Sequence, residues 1–216
     1  MPLLRQYKIG GAEISVWKIT ETVDELSLLV PKDIAAVCFE KFSSEKRRLE
    51  WLAVRAMVAQ LYGPAVRVVY DASGKPELAG ADVSISVSHT EGYAAIACSS
   101  GFDMGLDVEC LTRSVLPVVE RFMQADMLRD MLPDDANRLA LCHWCAKEAL
   151  FKITGNLGGN FKDNISVDCS GINESGTLSL ELVGLECGGS FIADYRFVDG
   201  LLLVLCRQKV KSVSKK

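Results

Sequence analysis

The residues that decide the fold are SEKRRLEWLAVRAMVAQLY at positions 44–62. Their apolar side chains recur at i, i+3 and i+4, which is the spacing of one face of a helix. The Gly63-Pro64 pair that follows is a usual helix end. We therefore predict a long helix over 44–62 and work outward from it.

The segments after this helix have the pattern of an antiparallel sheet. VRVVY at 66–70 predicts a strand and DASGKP at 71–76 a turn. VSISVSH at 83–89 alternates valine or isoleucine with serine, which indicates a strand with two different faces. A short T-E-G link then leads to a partner strand, YAAIACS at 93–99.

The same order of elements recurs in the second half of the chain. Asp134 or Asp135 is the expected N-cap of a helix that runs through LALCHWCAKEALFKIT and stops at Gly155. Strands follow near 165–168 and 178–183. FIADYRF and LLLVLC then pair through V-D-G, because Asp-Gly favours a tight hairpin turn.

The repeated order predicts an α+β protein of two similar halves, each a long helix packed on a small antiparallel sheet. We expect a pseudo-twofold axis to relate the halves and a ligand site to lie in the cleft between them. The predicted boundaries are 1–104 for the N-terminal half, 105–208 for the C-terminal half, and 209–216 for a disordered basic tail. The alternative is a single irregular α+β domain.

Composition excludes several classes of protein. A chain of 216 residues with 49% hydrophobic and 24% charged residues is an ordinary globular chain, neither disordered nor fibrous. It has no apolar run near the ~20 residues that a membrane helix needs and no secretory signal, so we expect a cytoplasmic protein without a membrane partner. The net charge of -4 argues against nucleic acid as a partner.

The eight cysteines are scattered, several of them in apolar runs, and are expected to be reduced structural thiols. Only Cys142 and Cys145 have the CxxC spacing of a zinc or redox site, and no second CxxC accompanies them. We expect no metal at this pair.

The segment MGLDVE at 104–109 predicts a strand on which Asp107 and Glu109 share one face. Their Cα atoms would lie about 6.7 Å apart, and like charges at that distance repel by roughly 2 to 3 kcal/mol. A positive group should therefore offset them, and Mg²⁺ is a cation that takes carboxylate oxygens. A solvated edge strand shows the same pattern by chance.

In HWCAKEALFKITG, Trp144, Glu148 and Lys152 form one helical stripe, with Lys147 about 100° around the helix. This arrangement offers a third carboxylate flanked by two ammonium groups, which suits phosphoryl transfer. An exposed helix face with a weak ion pair is the alternative.

Three further segments could contact a phosphate or a nucleotide. They are Ser88-His89, Gly74-Lys75-Pro76 and Lys46-Arg47-Arg48. Each also has an ordinary structural interpretation: a surface imidazole for the first, a turn for the second and a solvated charge run for the third.

Taken in order, GKP, SVSHTEGYAAIA, MGLDVE and WCAKEALFK resemble the successive motifs of the 4′-phosphopantetheinyl transferases of the larger, single-chain, pseudo-dimeric type. The motif resemblance covers about residues 46–152. It implies a magnesium-dependent enzyme that moves the phosphopantetheine arm of coenzyme A onto a serine of an apo acyl or peptidyl carrier protein and releases adenosine 3′,5′-bisphosphate. Such carriers serve fatty acid, polyketide or nonribosomal peptide biosynthesis, and two fused halves would permit a monomer.

The resemblance also implies roles for individual residues. It places Mg²⁺ on Asp107, Glu109 and Glu148, the diphosphate on Lys147 and Lys152, and catalysis on Glu148, Lys152 and Asp107. The expected general base is Glu148 or a metal-bound water that it orients. The resemblance places the adenine at Gly74, Lys75, Pro76 and Ser88, and the 3′-phosphate at His89 and one of Lys46 or Arg47.

The chain departs from the family pattern at two places. Ser86 stands where the family often has asparagine, and the segment 155–159 lacks the lysine of a Gly-Lys-Gly-like turn. A metal-dependent phosphohydrolase that uses the same three carboxylates is the alternative enzyme, and a non-catalytic coenzyme-binding or carrier-binding module is a third possibility.

The segment after Glu109 is a candidate docking surface for the carrier. It combines Arg113, Arg121 and Arg129 with Phe122, Met123 and Met127, which suits an acidic helix with apolar anchors if those side chains are exposed. The alternative is a lid helix whose apolar side chains belong to the core.

Overall fold

The computed structural model describes residues 3–129, 131–155, 161–169, 172–184 and 189–209, and the side chains of all of these except residues 3, 4 and 125. The chain divides into two compact units, Met1–Phe102 and Asp103–Lys216. Each unit has its own cluster of buried apolar side chains. The boundary between the two units falls between Phe102 and Asp103, just before the strand that starts at Met104. The sequence analysis predicted a boundary between residues 104 and 105, which is one residue inside that strand.

The first unit is a six-stranded antiparallel sheet with three helices. Its elements are β1 (Leu3–Ile9), β2 (Ala12–Lys18), α1 (Val23–Ser27), α2 (Lys32–Lys41), α3 (Glu45–Tyr62), β3 (Arg67–Tyr70), β4 (Pro76–Ala79), β5 (Ser84–Thr90) and β6 (Tyr93–Ser99). The strands are ordered β1-β2-β6-β5-β4-β3, so the β2–β6 pair joins segments far apart in the chain.

The second unit is a five-stranded antiparallel sheet with one long helix. Its elements are β7 (Met104–Cys110), two 3₁₀ turns (Leu116–Arg121 and Ala125–Leu128), α4 (Pro133–Thr154), α5 (Phe161–Asn164), β8 (Ile165–Asp168), β9 (Ser175–Leu182), β10 (Ser190–Val198) and β11 (Leu201–Gln208). The strand order is β7-β11-β10-β9-β8, which leaves β7 at an edge.

The two units have the same topology when their strands are matched in chain order. The order β2-β6-β5-β4-β3 in the first sheet corresponds to β7-β11-β10-β9-β8 in the second, and β1 is an additional edge strand. In each unit a long helix precedes four strands, the last two of which form a hairpin. The predicted α+β architecture with two antiparallel sheets is confirmed, while the pseudo-twofold axis and the cleft stay predictions.

Local sequence signals account for several element ends. The predicted first helix is confirmed, with Ser44 as its N-cap and Gly63 at its C-terminus with φ of 90°. The V-D-G hairpin is confirmed as well, because Asp199 and Gly200 have φ values of 53° and 77°, as a type I′ turn requires.

The predicted start of the second long helix is wrong. Leu132 is the N-cap and Pro133 the first helical residue, while Asp134 and Asp135 lie in the first turn. Proline suits this position because its fixed φ is helical and its missing N–H would have no helical partner there. The two carboxylates then face the positive end of the helix dipole.

Other elements were not predicted from the sequence. Pro76, expected to close a turn, begins β4, and β9 starts three residues earlier than expected. The N-terminal hairpin of β1 and β2, which turns through Gly10 and Gly11, and the helices α1 and α2 were not foreseen. Most of the predicted basic tail lies outside the described residues, as does most of the segment 155–159.

Candidate active site

The site in the second unit depends on direct contact between α4 and β7. A β-carbon built on Gly105 would lie 1.9 Å from the main-chain oxygen of Ala149 and 3.2 Å from Cβ of Lys152. No residue with a side chain fits there without moving the helix backbone. Glycine at this point of β7 therefore lets polar side chains of α4 reach the main chain and side chains of the strand.

Asp107 lies beneath this contact and is 7% exposed. The ammonium of Lys152 donates to Asp107 Oδ1 at 3.0 Å and to the main-chain oxygen of Leu106 at 2.6 Å. The thiol of Cys145 forms a further hydrogen bond with the Asp107 carboxylate, and burial raises the pKa of that thiol, which keeps it protonated. Sequence reasoning identified Lys152 but missed Cys145, which it had assigned to the core.

Glu148 comes one helical turn before Lys152 on α4. Burial, and secondly the charge of Asp107, raise the pKa of this carboxyl, whereas Lys152 and Arg113 act in the opposite direction. The carboxylates of Asp107 and Glu148 are thus close enough to repel each other across the helix–strand contact.

Glu109 is the second buried carboxylate of β7, at 6% exposure. The guanidinium of Arg113 forms an ion pair with Glu109 Oε1 and lies 5.4 Å from the centroid of the Trp144 ring. The repulsion expected between Asp107 and Glu109 is therefore offset in part by two cationic side chains, Lys152 at Asp107 and Arg113 at Glu109.

Two residues proposed for phosphate binding in the first unit meet at Glu50, a residue of α3 that is 9% exposed. Lys46 Nζ lies 3.9 Å from Glu50 Oε1, and His89 Nδ1 lies 3.6 Å from Glu50 Oε2. Lys46, Arg47 and His89 are themselves exposed. Sequence reasoning missed Glu50, although its position one turn after Lys46 is a signal for an i, i+4 pair.

An open pocket of about 350 Å³ borders this group. Its lining combines apolar, acidic and basic side chains of the first unit: Ile19, Thr20, Glu21, Glu45, Lys46, Leu49, Glu50 and Gly92.

The predicted adenine contacts lie in two places within the first unit. Gly74, with φ of 84°, and Lys75 form the β3–β4 turn, where the carboxylate of Asp71 accepts from the main-chain N–H of Lys75 at 2.9 Å. Ser88 is 4% exposed and points to the opposite face of β5 from His89, because the two are consecutive strand residues. The structure therefore does not bring the Ser88 and His89 side chains together.

Residues 103–196, a little under half of the chain, match the family described as the 4′-phosphopantetheinyl transferase superfamily. The chain carries a 4′-phosphopantetheinyl transferase superfamily domain. No curated protein matches the chain. The matched range of this transferase domain runs from β7 into β10 and contains all three carboxylates and Lys152, whereas every candidate contact of the first unit lies outside it.

The superfamily generally uses Mg²⁺ and coenzyme A. Asp107, Glu109 and Glu148 of the transferase domain supply hard oxygen donors, the chemistry that Mg²⁺ takes. In the parts of the chain that are described, no three His, Cys, Asp or Glu side chains converge closely enough to ligate an ion as they stand. The donor set therefore fits the ion chemically, but side-chain movement has to accompany binding.

The assignment of Lys147 of the transferase domain to the diphosphate is corrected by the structure. Lys147 is 2% exposed, and its ammonium donates to the main-chain oxygen of Phe122 at 2.6 Å and to that of Phe161. Burial lowers the pKa of this ammonium to about 8. A side chain enclosed in this way cannot reach a diphosphate, so Lys147 has a structural role.

The predicted docking surface is also corrected in part. Phe122 and Met123 are 0% and 3% exposed and belong to the core of the second unit, so they cannot anchor a carrier. Met127, Arg121 and Arg129 are exposed as expected, while Arg113 pairs with Glu109. The two 3₁₀ turns here form no lid helix.

Cys142 and Cys145 lie in the core on α4, and burial raises the pKa of both thiols, so this CxxC pair is structural as predicted. None of the cysteines in the described ranges forms a disulfide. None of the helices described there has the length and apolar character needed to cross a membrane.

Proposed function

We propose that the protein transfers the 4′-phosphopantetheine arm of coenzyme A to a serine of an apo carrier protein, with Mg²⁺ required. The observation that carries this proposal is the pair of buried carboxylates on β7, Asp107 and Glu109, with the half-buried Glu148 and Lys152 on α4, inside the range that matches the transferase superfamily. A non-catalytic module would have no need of these three carboxylates.

The proposed reaction is a displacement at phosphorus. The serine oxygen of the carrier forms a bond to the β-phosphorus of coenzyme A, and the bond from that phosphorus to the bridging oxygen breaks. Adenosine 3′,5′-bisphosphate leaves with the electron pair, and the serine proton needs an acceptor. Glu148, or a water that it orients, is the acceptor that we assign, because its carboxylate lies near that of Asp107 on the helix that contacts β7.

Charge neutralisation is the main task in such a reaction. Asp107, Glu109 and Glu148 would hold Mg²⁺, which when bound supplies positive charge to the diphosphate oxygens. Lys152 already lies at Asp107 and would share that task. His89 and one of Lys46 or Arg47 would bind the 3′-phosphate, and the turn at Gly74, Lys75 and Pro76, with Ser88, would bind the adenine.

Mass spectrometry of apo carrier proteins incubated with the protein, coenzyme A and Mg²⁺ tests this proposal. We expect a gain of about 340 Da on the carrier serine, the mass of the transferred arm. A panel of fatty acid, polyketide and nonribosomal peptide carriers covers the three possible classes of substrate. Phosphate release from coenzyme A without any carrier would instead favour the phosphohydrolase.

A further inference from the structure

Arg113 and Glu109 form the pair that closes the carboxylate group at one end. The Glu109 side chain is 7% exposed and that of Arg113 is 45% exposed, so the guanidinium lies on the solvent side of the carboxylate. A guanidinium in this position neutralises a carboxylate that would otherwise be buried beside the charge of Asp107. The pair contains one of the three oxygen donors proposed for Mg²⁺.

The ring beneath Arg113 is fixed from several directions. Trp144 packs edge-on against Phe122 at 5.3 Å between centroids and lies 6.4 Å from the Phe161 ring. The buried ammonium of Lys147 bonds to the main-chain oxygens of the same two phenylalanines. Arg113 therefore rests on an aromatic surface that is held in place, which favours one position of its guanidinium.

We infer that Arg113 is an internal counter-ion that occupies Glu109 and competes with the divalent cation for this carboxylate. The inference rests on the proposed function, because it takes Glu109 as a metal ligand. The Arg113 guanidinium and a divalent cation cannot both bind the Glu109 carboxylate oxygens fully. Binding of the ion therefore has to weaken the Arg113–Glu109 ion pair. Arg113 thereby sets how much divalent cation is needed to fill the site.

The test is a titration of the full chain with Mn²⁺ alone, followed by the electron paramagnetic resonance signal of the free ion. We expect Arg113→Gln to bind Mn²⁺ roughly three- to tenfold more tightly than the unmodified protein, since a competing ion pair is removed. Arg121→Gln is the matched control, because Arg121 is an exposed arginine of the same segment. It should leave the affinity unchanged.

A double variant shows whether Arg113 acts through Glu109. In a Glu109→Gln background, the Arg113→Gln change should no longer tighten Mn²⁺ binding, because the pair is already broken. Without metal, Arg113→Gln should lower the melting temperature, since it leaves a buried carboxylate without its guanidinium.

Each other outcome also decides the matter. Mn²⁺ binding by Arg113→Gln that is equal to or weaker than that of the unmodified protein overturns the inference. Equal tightening by Arg121→Gln also overturns it. So does the absence of Mn²⁺ binding in both the unmodified protein and Arg113→Gln. Binding by Arg113→Gln alone supports it strongly. Tighter binding by that variant in a protein that modifies no carrier would leave the inference standing and the proposed transfer refuted.

Discussion

The two units have the same strand order but place their ionisable groups differently. In the second unit, Asp107, Glu109 and Lys147 are buried and bonded within the packing of α4 on its sheet. In the first unit, the side chains of Lys46 and His89 are 71% and 57% exposed and meet only one buried carboxylate. The same strand order is therefore found with buried ionisable side chains in the second unit and with solvent-exposed Lys46 and His89 side chains in the first.

One difference lies in the strand that pairs with the last strand of each unit, β2 with β6 and β7 with β11. β7 carries Gly105, which lets the backbone of α4 touch the strand. Its counterpart β2 carries Trp17, a fully buried side chain that packs in the same core cluster as Leu52 and Ala53 of α3. By the strand registers, Trp17 of β2 occupies the place that Glu109 has in β7, because Trp17 pairs with Ala94 and Glu109 with Leu202. A large apolar side chain therefore stands in one unit where a carboxylate stands in the other. The second unit thus has two buried carboxylates on one strand, Asp107 and Glu109.

The largest expected effect separates chemistry from binding. Asp107→Asn should lower carrier modification at least about 1,000-fold while the protein stays folded, because a buried charge that acts in the transition state is lost. His89→Gln should raise KM for coenzyme A about tenfold with kcat nearly unchanged, as expected of a phosphate contact. Steady-state kinetics with both substrates measures the two variants, and equal kcat losses would remove the distinction between the units.

The next effect concerns the helix–strand contact. Gly105→Ala should destabilise the protein by about 3 kcal/mol or more, because the new methyl group meets the main-chain oxygen of Ala149, which cannot rotate away. Gly101→Ala is the control, since nothing lies within 4 Å of a β-carbon built there. Urea unfolding measures both, and a similar small change in both would contradict the close contact.

The chain has two histidines, and only His143 is buried, at 2% exposure. Burial, and secondly Lys147, lower the pKa of His143 from 6.5 to about 4. Between pH 6.5 and 4, His143 is protonated in the unfolded chain but stays neutral in the folded protein. The free energy of unfolding should therefore fall by about 3 kcal/mol on this account as pH drops from 6.5 to 4.

The pH dependence of urea unfolding, compared between the protein and His143→Leu, measures this contribution. The variant should lose less stability on acidification, whereas His89→Gln keeps the buried imidazole and should lose as much as the unmodified protein. Parallel curves for the protein and His143→Leu would show that the buried imidazole does not titrate in this way.

The smallest expected effect concerns helix starts. Thr22 in the first unit forms a capping box with Glu25, and Thr22→Ala should cost about 1 kcal/mol. In the second unit, the N-cap of α4 is Leu132, which is 71% exposed and makes no side-chain cap. Leu132→Ser should stabilise the protein by about 0.5 to 1 kcal/mol. Thermal unfolding measures both variants. The melting temperature should fall for Thr22→Ala and rise for Leu132→Ser.

The sequence predicted those features that depend on neighbours in the chain. Helical spacing with Gly63 at the end gave α3, and Asp199-Gly200 gave the last hairpin, because dihedral preferences and apolar periodicity are local. The alternation at 104–109 placed Asp107 and Glu109 together for the same reason. The family resemblance followed from these motifs and their order.

Only the tertiary structure decided which partner each charged group has. The sequence gives no sign that Lys147 bonds two main-chain oxygens, that Cys145 reaches Asp107, that Phe122 lies in the core, or that Arg113 pairs with Glu109 above Trp144. Most of these contacts join segments that meet only when α4 packs on β7 at Gly105. Burial and pairing depend on the side chains that fill the surrounding space, and that space exists only after distant parts of the chain have packed together.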